Sequence, residues 1–390
     1  MVDFDNEKTG YQHTFIRTDA DMLNQLFGDD SVTPFWIADM DFEVAKPITD
    51  ELQRLVDRGI YAYEFDAEGV FNAIAEWNQR RHGITLAPSS LIQVPGVLTG
   101  IAILIRELTE PGDRILVQTP VYHQFAKVIG TAGRAVLKNP LRIVGDRYEM
   151  DFEDLEHKLK NDKPALILLC NPHNPVGRVW TKNELDQVVD LADRYNVTIV
   201  SDEVHSDIVY AGHPFNCVAS LATNNRHISL IGSPAKTFGM QSISNGYIYI
   251  PNEHIRKRVF NVVDSMYLNH GNAFTMFATI AAYQKGDEWL DQLLSYLQSN
   301  VNWMNEFIAS ELPSIRAFPV EGTYQMWLDF SSMCDSPKTL KELLVQKAQL
   351  GLTPGSWFEP DNALFMRMNF ASPLSKVQGA LSALKGACSS

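Results

Sequence analysis

Short apolar runs alternate with amphipathic stretches through the middle of the chain. Residues 91–94, 114–118, 165–170, 197–200 and 228–232 are apolar on both alternating faces. Runs of that kind read as strands buried on both sides. Between them lie a turn at 96–100 entering a helix to about residue 108, a helix opened by residues 119–122, and a helix over 182–195. Strands alternating with helices predict a parallel sheet covered on both faces. Upstream, Pro47 opens a helix to residue 57 and Gly59 stops it. An aromatic loop over 59–63 and a second helix over 71–81 follow. Residues 1 to about 33 are polar, with breakers at Gly10 and Gly28, and read as an irregular arm. Residues 34–42 read as a strand pinning that arm to the body.

From about residue 286 the pattern changes. A long amphipathic helix over 289–312 precedes a strand at 323–329, a helix at 340–349, a strand at 364–369 and a last helix from about 375. The expected fold class is α/β: a three-layer large domain with a mainly parallel sheet, plus a smaller α+β domain. The expected boundaries are 1–45 for the arm, 46–285 for the large domain and 286–390 for the small one.

The length of 390 residues exceeds what one core usually spans. Hydrophobic content of 45% and charged content of 21% fit a soluble globular protein. A net charge of −14 argues against nucleic acid or an anionic membrane as partner. No run is long enough to span a membrane, and the first residues lack a secretory apolar region. Cys170, Cys217, Cys334 and Cys388 form no CxxC pair and read as free thiols of a cytoplasmic protein. Asp39 and Asp41 share a strand face but have no third ligand nearby, so no metal is expected.

Ligands of such sheets bind at the carboxyl ends of the strands. Lys236 stands there, in Ser233-Pro-Ala-Lys-Thr-Phe238. A partly desolvated lysine is an amine nucleophile towards carbonyls. The prolines of Asn171-Pro-His-Asn-Pro-Val-Gly177 present Asn174 rigidly. Asp202 ends an apolar strand and needs a positive partner, and His205 follows it. The turn at 96–100 offers free backbone N–H groups to an anion, and Tyr122 offers a ring for stacking. Each has a bland alternative: a solvated lysine, a structural turn, a core histidine or tyrosine. Ser233-x-x-Lys236 also matches the serine acyl-enzyme motif of penicillin-binding proteins, but those are exported and no secretory signal is read here. Together, the amine, carboxylate, amide, ring and anion site meet the needs of pyridoxal 5'-phosphate.

The chain resembles the fold-type-I pyridoxal-phosphate enzymes of the class I/II aminotransferase superfamily. Within it the chain is similar to the MalY/PatB type of cystathionine β-lyase-like C–S lyases. The loop at 171–177, Ser201-Asp-Glu-Val-His205 and Ser233-Pro-Ala-Lys236 carry the wider resemblance. Phe35-Trp-Ile-Ala-Asp-Met-Asp-Phe42, Gly59-Ile-Tyr-Ala-Tyr63, Thr119-Pro-Val-Tyr122, Ala282-Tyr-Gln-Lys-Gly286 and Arg367-Met-Asn369 carry the narrower one.

The resemblance implies that Lys236 holds the cofactor covalently and shuttles the α-proton. It implies that Asp202 pairs with the ring nitrogen, Asn174 bonds the ring oxygen and Tyr122 stacks on the ring. His205 stands where aminotransferases often have tyrosine. Backbone groups of Val97 and Leu98 and the Ser233 hydroxyl would bind phosphate. Tyr63 would reach the phosphate of a neighbouring subunit, which requires a homodimer. Arg367 would clamp the substrate carboxylate, with Asn174, Tyr122 and the backbone near Ala38. Two departures stand out: Ser244 where many aminotransferases place a phosphate-binding arginine, and Gly239 where the branch often has asparagine, followed by an atypical 240–244. The implied reaction cleaves cystathionine or related cysteine S-conjugates to a thiol, pyruvate and ammonia. An aminotransferase, or a lyase with a regulatory binding role, is the alternative.

Overall fold

The computed structural model describes residues 2–6, 10, 14–221 and 228–389. Its main sheet has seven strands, in the order 91–94, 246–249, 228–232, 198–202, 166–170, 114–119 and 135–140. The four pairings from 135–140 to 228–232 are parallel. Gly246–Tyr249 runs antiparallel to both of its neighbours. The sheet is therefore mainly parallel, as the alternating pattern predicts.

Two of the strands escape the pattern. Ala135–Pro140 is a sheet edge whose residues are mostly part-exposed, so no apolar run marks it. Gly246–Tyr249 is fully buried but only four residues long, and two of them are tyrosine. Its reversed direction matters for the site. Gly246 pairs with Val94, the last residue of Leu91–Val94, so the segment entering the strand arrives at the ligand end of the sheet.

Successive strand residues face opposite sides. Leu166, Leu168 and Val200 pack with Ile101, Leu104 and Val259 on one face. Ile167, Leu169 and Ile199 pack with Leu155, Leu185 and Val188 on the other. A second sheet is antiparallel, in the order Arg316–Ala317, Gln325–Asp329, Phe365–Asn369, Thr353–Pro354. Helices Asp287–Glu311 and Leu374–Cys388 bury Leu297, Met304, Val377 and Leu381 in the same core cluster as Met326 and Met368 of that sheet.

The expected irregular arm contains a helix, Ala20–Phe27. Asp19 caps it by accepting the Met22 N–H, and Gly28 ends it in the left-handed conformation. Gly28 is thus a helix stop rather than a loop breaker. Residues 1, 7–9 and 11–13 of the arm lie outside the described residues. The strand expected over 34–42 is also corrected. Only Thr33–Pro34 pairs, with Leu350–Gly351. Isolated backbone bonds, from Phe35 N–H to Gly351, Asn369 N–H to Phe35 and Asp41 N–H to Ala371, hold the rest together with side chains: Asn369 Nδ2 donates to the carbonyls of Ile37 and Asp39, each at 2.7 Å. The helix expected to open at 119–122 starts at Gln124. The one expected over 340–349 is Pro337–Lys341 followed by a π-turn, Glu342–Lys347. Helices Phe152–Asn161, Glu253–Ser265 and Ala273–Lys285 complete the layers.

One buried carboxylate ties the lysine segment to this frame. Asp207 accepts from Trp77 Nε1 at 2.9 Å and Thr237 Oγ1 at 2.7 Å, and pairs with His82 Nε2 at 2.7 Å. Burial works to raise its pKa, yet the bonds from His82, Thr237 and Trp77 hold it below the ordinary carboxylate value. Thr237 is the residue after Lys236, so the network fixes the backbone that carries the amine. Asp207→Ala leaves three buried polar groups unpaired, each costing about 1–3 kcal/mol. We expect a loss of about 3 kcal/mol or more in urea unfolding, and a loss under about 1 kcal/mol would contradict this role.

Candidate active site

A cavity of about 760 Å³ opens at the carboxyl ends of the parallel strands. Every site residue read from the sequence lines it except Tyr63, which is fully exposed elsewhere.

The strand Ile228–Gly232 delivers Lys236 on the short helical turn Ala235–Phe238. Its Nζ donates to the Ala38 carbonyl at 2.5 Å, and the Tyr324 hydroxyl donates to the same oxygen at 3.2 Å. Burial, first, and the nearby Arg367 charge pull the amine pKa down to about 8, against the attraction of Asp39 and Asp202. The turn ends at Gly239 with φ +69°. Asparagine and glycine are the residues that accept this left-handed position most readily. The departure at Gly239 therefore keeps the backbone geometry while removing a side chain.

Asp202 is the last residue of Thr198–Asp202 and is buried. It accepts the Val204 N–H at 3.1 Å. No described lysine, arginine or histidine forms an ion pair with it. Burial therefore raises its pKa to about 7. His205 is also buried, and its Nδ1 has no hydrogen-bond partner among the described residues. Burial, then the charges of Lys236 and Arg367, keep its pKa well below the ordinary imidazole value.

The helix Val97–Leu108 begins at the cavity with no side-chain cap. Its first N–H groups and the helix dipole suit an anion. Gly246 permits this, because a Cβ there would sit 2.9 Å from the Gly96 carbonyl carbon. The Ser233 hydroxyl lines the same cavity. It donates to the Asn245 carbonyl at 2.8 Å and accepts the Ala235 N–H at 3.1 Å. In this arrangement it braces the lysine turn.

Arg367 mirrors Asp202. Its Nη2 donates to the Trp36 carbonyl at 2.7 Å and to Thr353 Oγ1 at 3.2 Å, and its Nη1 donates to Asn174 Oδ1 at 3.1 Å. Nε has no partner, and no described carboxylate forms an ion pair with the group. Burial lowers its pKa to about 10, which leaves it charged at neutral pH. A buried guanidinium lacking a counter-ion fits a ligand carboxylate.

Reasoning from sequence missed several groups. Asp39 lines the cavity and pairs with Arg17 at 3.0 Å, while Arg17 also binds Asp41. The pair Asp39 and Asp41 was visible, but its cation lies more than 20 residues upstream in the arm. Arg178 bonds Glu321 at 2.8 Å and Glu184 at 3.0 Å, which ties the Asn174 loop to the second sheet's side of the molecule. Tyr324 carried no local signal, and Gln241 was marked only as part of the atypical stretch 240–244.

The donor set fits pyridoxal phosphate: a part-neutral, half-buried amine, a buried carboxylate short of a cation, an uncapped helix start and the ring of Tyr122 all line one cavity.

Comparison with known proteins agrees in extent and kind. The family model for aminotransferase class I and II matches residues 62–384. The chain is 37% identical over 370 residues to cystathionine beta-lyase PatB of Bacillus subtilis (strain 168), covering 95% of this chain and 96% of that one. It superposes on the PLP-bound putative aminotransferase from Clostridium difficile 630 with a TM-score of 0.96 and 34% identity, covering all of both chains. It also superposes on the PLP-bound C-S lyase from Staphylococcus hominis with a TM-score of 0.91 and 25% identity, covering 100% of this chain and 98% of that one. By sequence and by fold, the chain belongs to the class I and II aminotransferase family.

Proposed function

We propose that the protein is a pyridoxal-phosphate-dependent carbon–sulfur β-lyase acting on a cysteine S-conjugate such as cystathionine. The observation that carries this reading is the pair of uncompensated buried charges, Asp202 and Arg367, lining one cavity with the half-buried Lys236. Relatives named as cystathionine β-lyases and a C–S lyase support the branch.

In this reading Lys236 holds the cofactor, Asp202 faces its ring nitrogen, Asn174 and His205 lie by the ring oxygen, and Tyr122 stacks on the ring. Backbone N–H groups of Val97 and Leu98 take the phosphate together with the Ser233 hydroxyl, which also braces the lysine turn. When bound, the cofactor supplies an electron sink for negative charge at the substrate Cα. Arg367 grips the α-carboxylate and fixes the direction of the Cα–H bond. Lys236, with its pKa near 8, takes the Cα proton as a neutral amine and can return it. Loss of that proton sets up departure of the sulfur from Cβ. The Tyr122 hydroxyl keeps its proton, because burial raises its pKa. Ser244, in place of a phosphate-binding arginine, separates this site from many aminotransferases.

A homodimer in the cytoplasm is part of the same proposal. Ile60, Tyr61, Tyr63 and Phe65 form an exposed apolar loop suited to a second copy, where Tyr63 reaches the partner's phosphate site. All four cysteines are free thiols. The division at about residues 45 and 285 belongs with it.

Two outcomes are expected. The rate at which cofactor-free protein captures pyridoxal phosphate should rise with pH through a midpoint near 8, since only the neutral amine attacks. Stopped-flow absorbance checks this, and a rate flat between pH 6.5 and about 9 would contradict it. The holoenzyme should release pyruvate from cystathionine with no keto acid added, and Lys236→Ala should lose at least about a thousandfold in rate. Turnover only in the presence of a keto acid would identify an aminotransferase instead.

A further inference from the structure

The far wall of the cavity is aromatic and uncharged. The His123 ring stands edge-on to Tyr122, Trp357 and Phe358, with centroids 5.1, 5.3 and 5.8 Å apart. The Arg367 guanidinium lies 5.0 Å over Phe358. The wall therefore starts beside the carboxylate grip and extends to Trp357, with exposed Phe15 and Ile16 lining the same cavity.

The charges in the cavity are already committed. Lys236 and Arg367 are the two lysine or arginine side chains among the described lining residues. The proposed function assigns the first to the cofactor and the second to the α-carboxylate. Asp39 is paired with Arg17. Burial, first, and the charges of Arg367 and Lys127 hold the His123 pKa near 4, so the ring is neutral at pH 7. Lys127, which acts on His123, is exposed and does not line the cavity, so a second carboxylate on the substrate would have to shed its water against aromatic rings with no lining cation to meet it.

Resting on the β-lyase reading, we propose that His123, Trp357 and Phe15 select cysteine S-conjugates whose sulfur carries an uncharged alkyl or aryl group. Conjugates ending in a second carboxylate, cystathionine among them, are turned over but with a lower kcat/KM. The reaction balances for either class: the Cα–H and Cβ–S bonds break, the thiol leaves with a proton, and one water converts the remaining three-carbon unit to pyruvate and ammonia.

The test pairs S-benzyl-L-cysteine with S-(2-carboxyethyl)-L-cysteine on the holoenzyme. Pyruvate formation gives kcat/KM, and the change in cofactor absorption on titration gives affinity. The benzyl conjugate should be favoured about tenfold or more by both measures. His123→Lys should raise the carboxyethyl conjugate about tenfold and narrow the ratio. Equal values, or preference for the carboxyethyl conjugate, would overturn the proposal, as would a failure of both ligands to bind. If both bind and neither gives pyruvate, the lyase reading falls, and the order of affinities still decides the proposal about the wall.

Discussion

Burying a charge without its counter-ion is the constraint on which this site depends. Asp202 and Arg367 are each less than a tenth exposed, and neither has an ion-pair partner among the described residues. In most buried pairs the removal of one partner costs several kcal/mol, about 3–5 by mutational measurement. Here the fold supports that condition at two points in one cavity. It does so by surrounding Arg367 with carbonyl, hydroxyl and amide oxygens, and by letting the Asp202 pKa rise towards neutrality. A cationic ring nitrogen and a substrate carboxylate would complete the two charges. Ligand binding and relief of the desolvation cost are then one event.

The scaffold makes this tolerable by rigidity. Lys236 sits on a turn braced by Ser233 on one side and by Thr237 and Asp207 on the other. Ala38 receives its amine, and the Ala38 segment is itself clamped by Asn369 and by the Arg17–Asp39–Asp41 cluster. Lys376 also pairs with Asp41, at 2.9 Å. The arm, the large sheet and the second sheet thus converge on one lysine. Reading the 34–42 segment as a strand missed this, because scattered backbone bonds and side-chain clamps, rather than a continuous ladder, hold its carbonyls in place.

What was legible follows a simple rule. Groups at the ends of long apolar runs were visible, since the run marks the strand and the strand end marks the site. Lys236, Asp202 and Asn174 are of this kind. Groups placed by partners distant in the chain were not. Arg17 meets Asp39 and Asp41 across an arm that looked irregular, and the helix Ala20–Phe27 within it was hidden because Gly28 reads equally as a cap or a breaker. The strand Gly246–Tyr249 is too short to announce itself, yet its antiparallel course is what brings Gln241 and Ser244 to the cavity. The Ser233 hydroxyl was assigned to an anion by motif, and its bond to Asn245 became visible only in three dimensions.

The most direct measurement is to add pyridoxal phosphate to the purified protein stripped of small molecules, reduce with borohydride, and locate the label by peptide mass. The account predicts one label per chain, on the peptide containing Lys236, and none on that peptide after Lys236→Ala. Absence of a visible band before reduction, or a label spread over surface lysines with Lys236 unmodified, would contradict it.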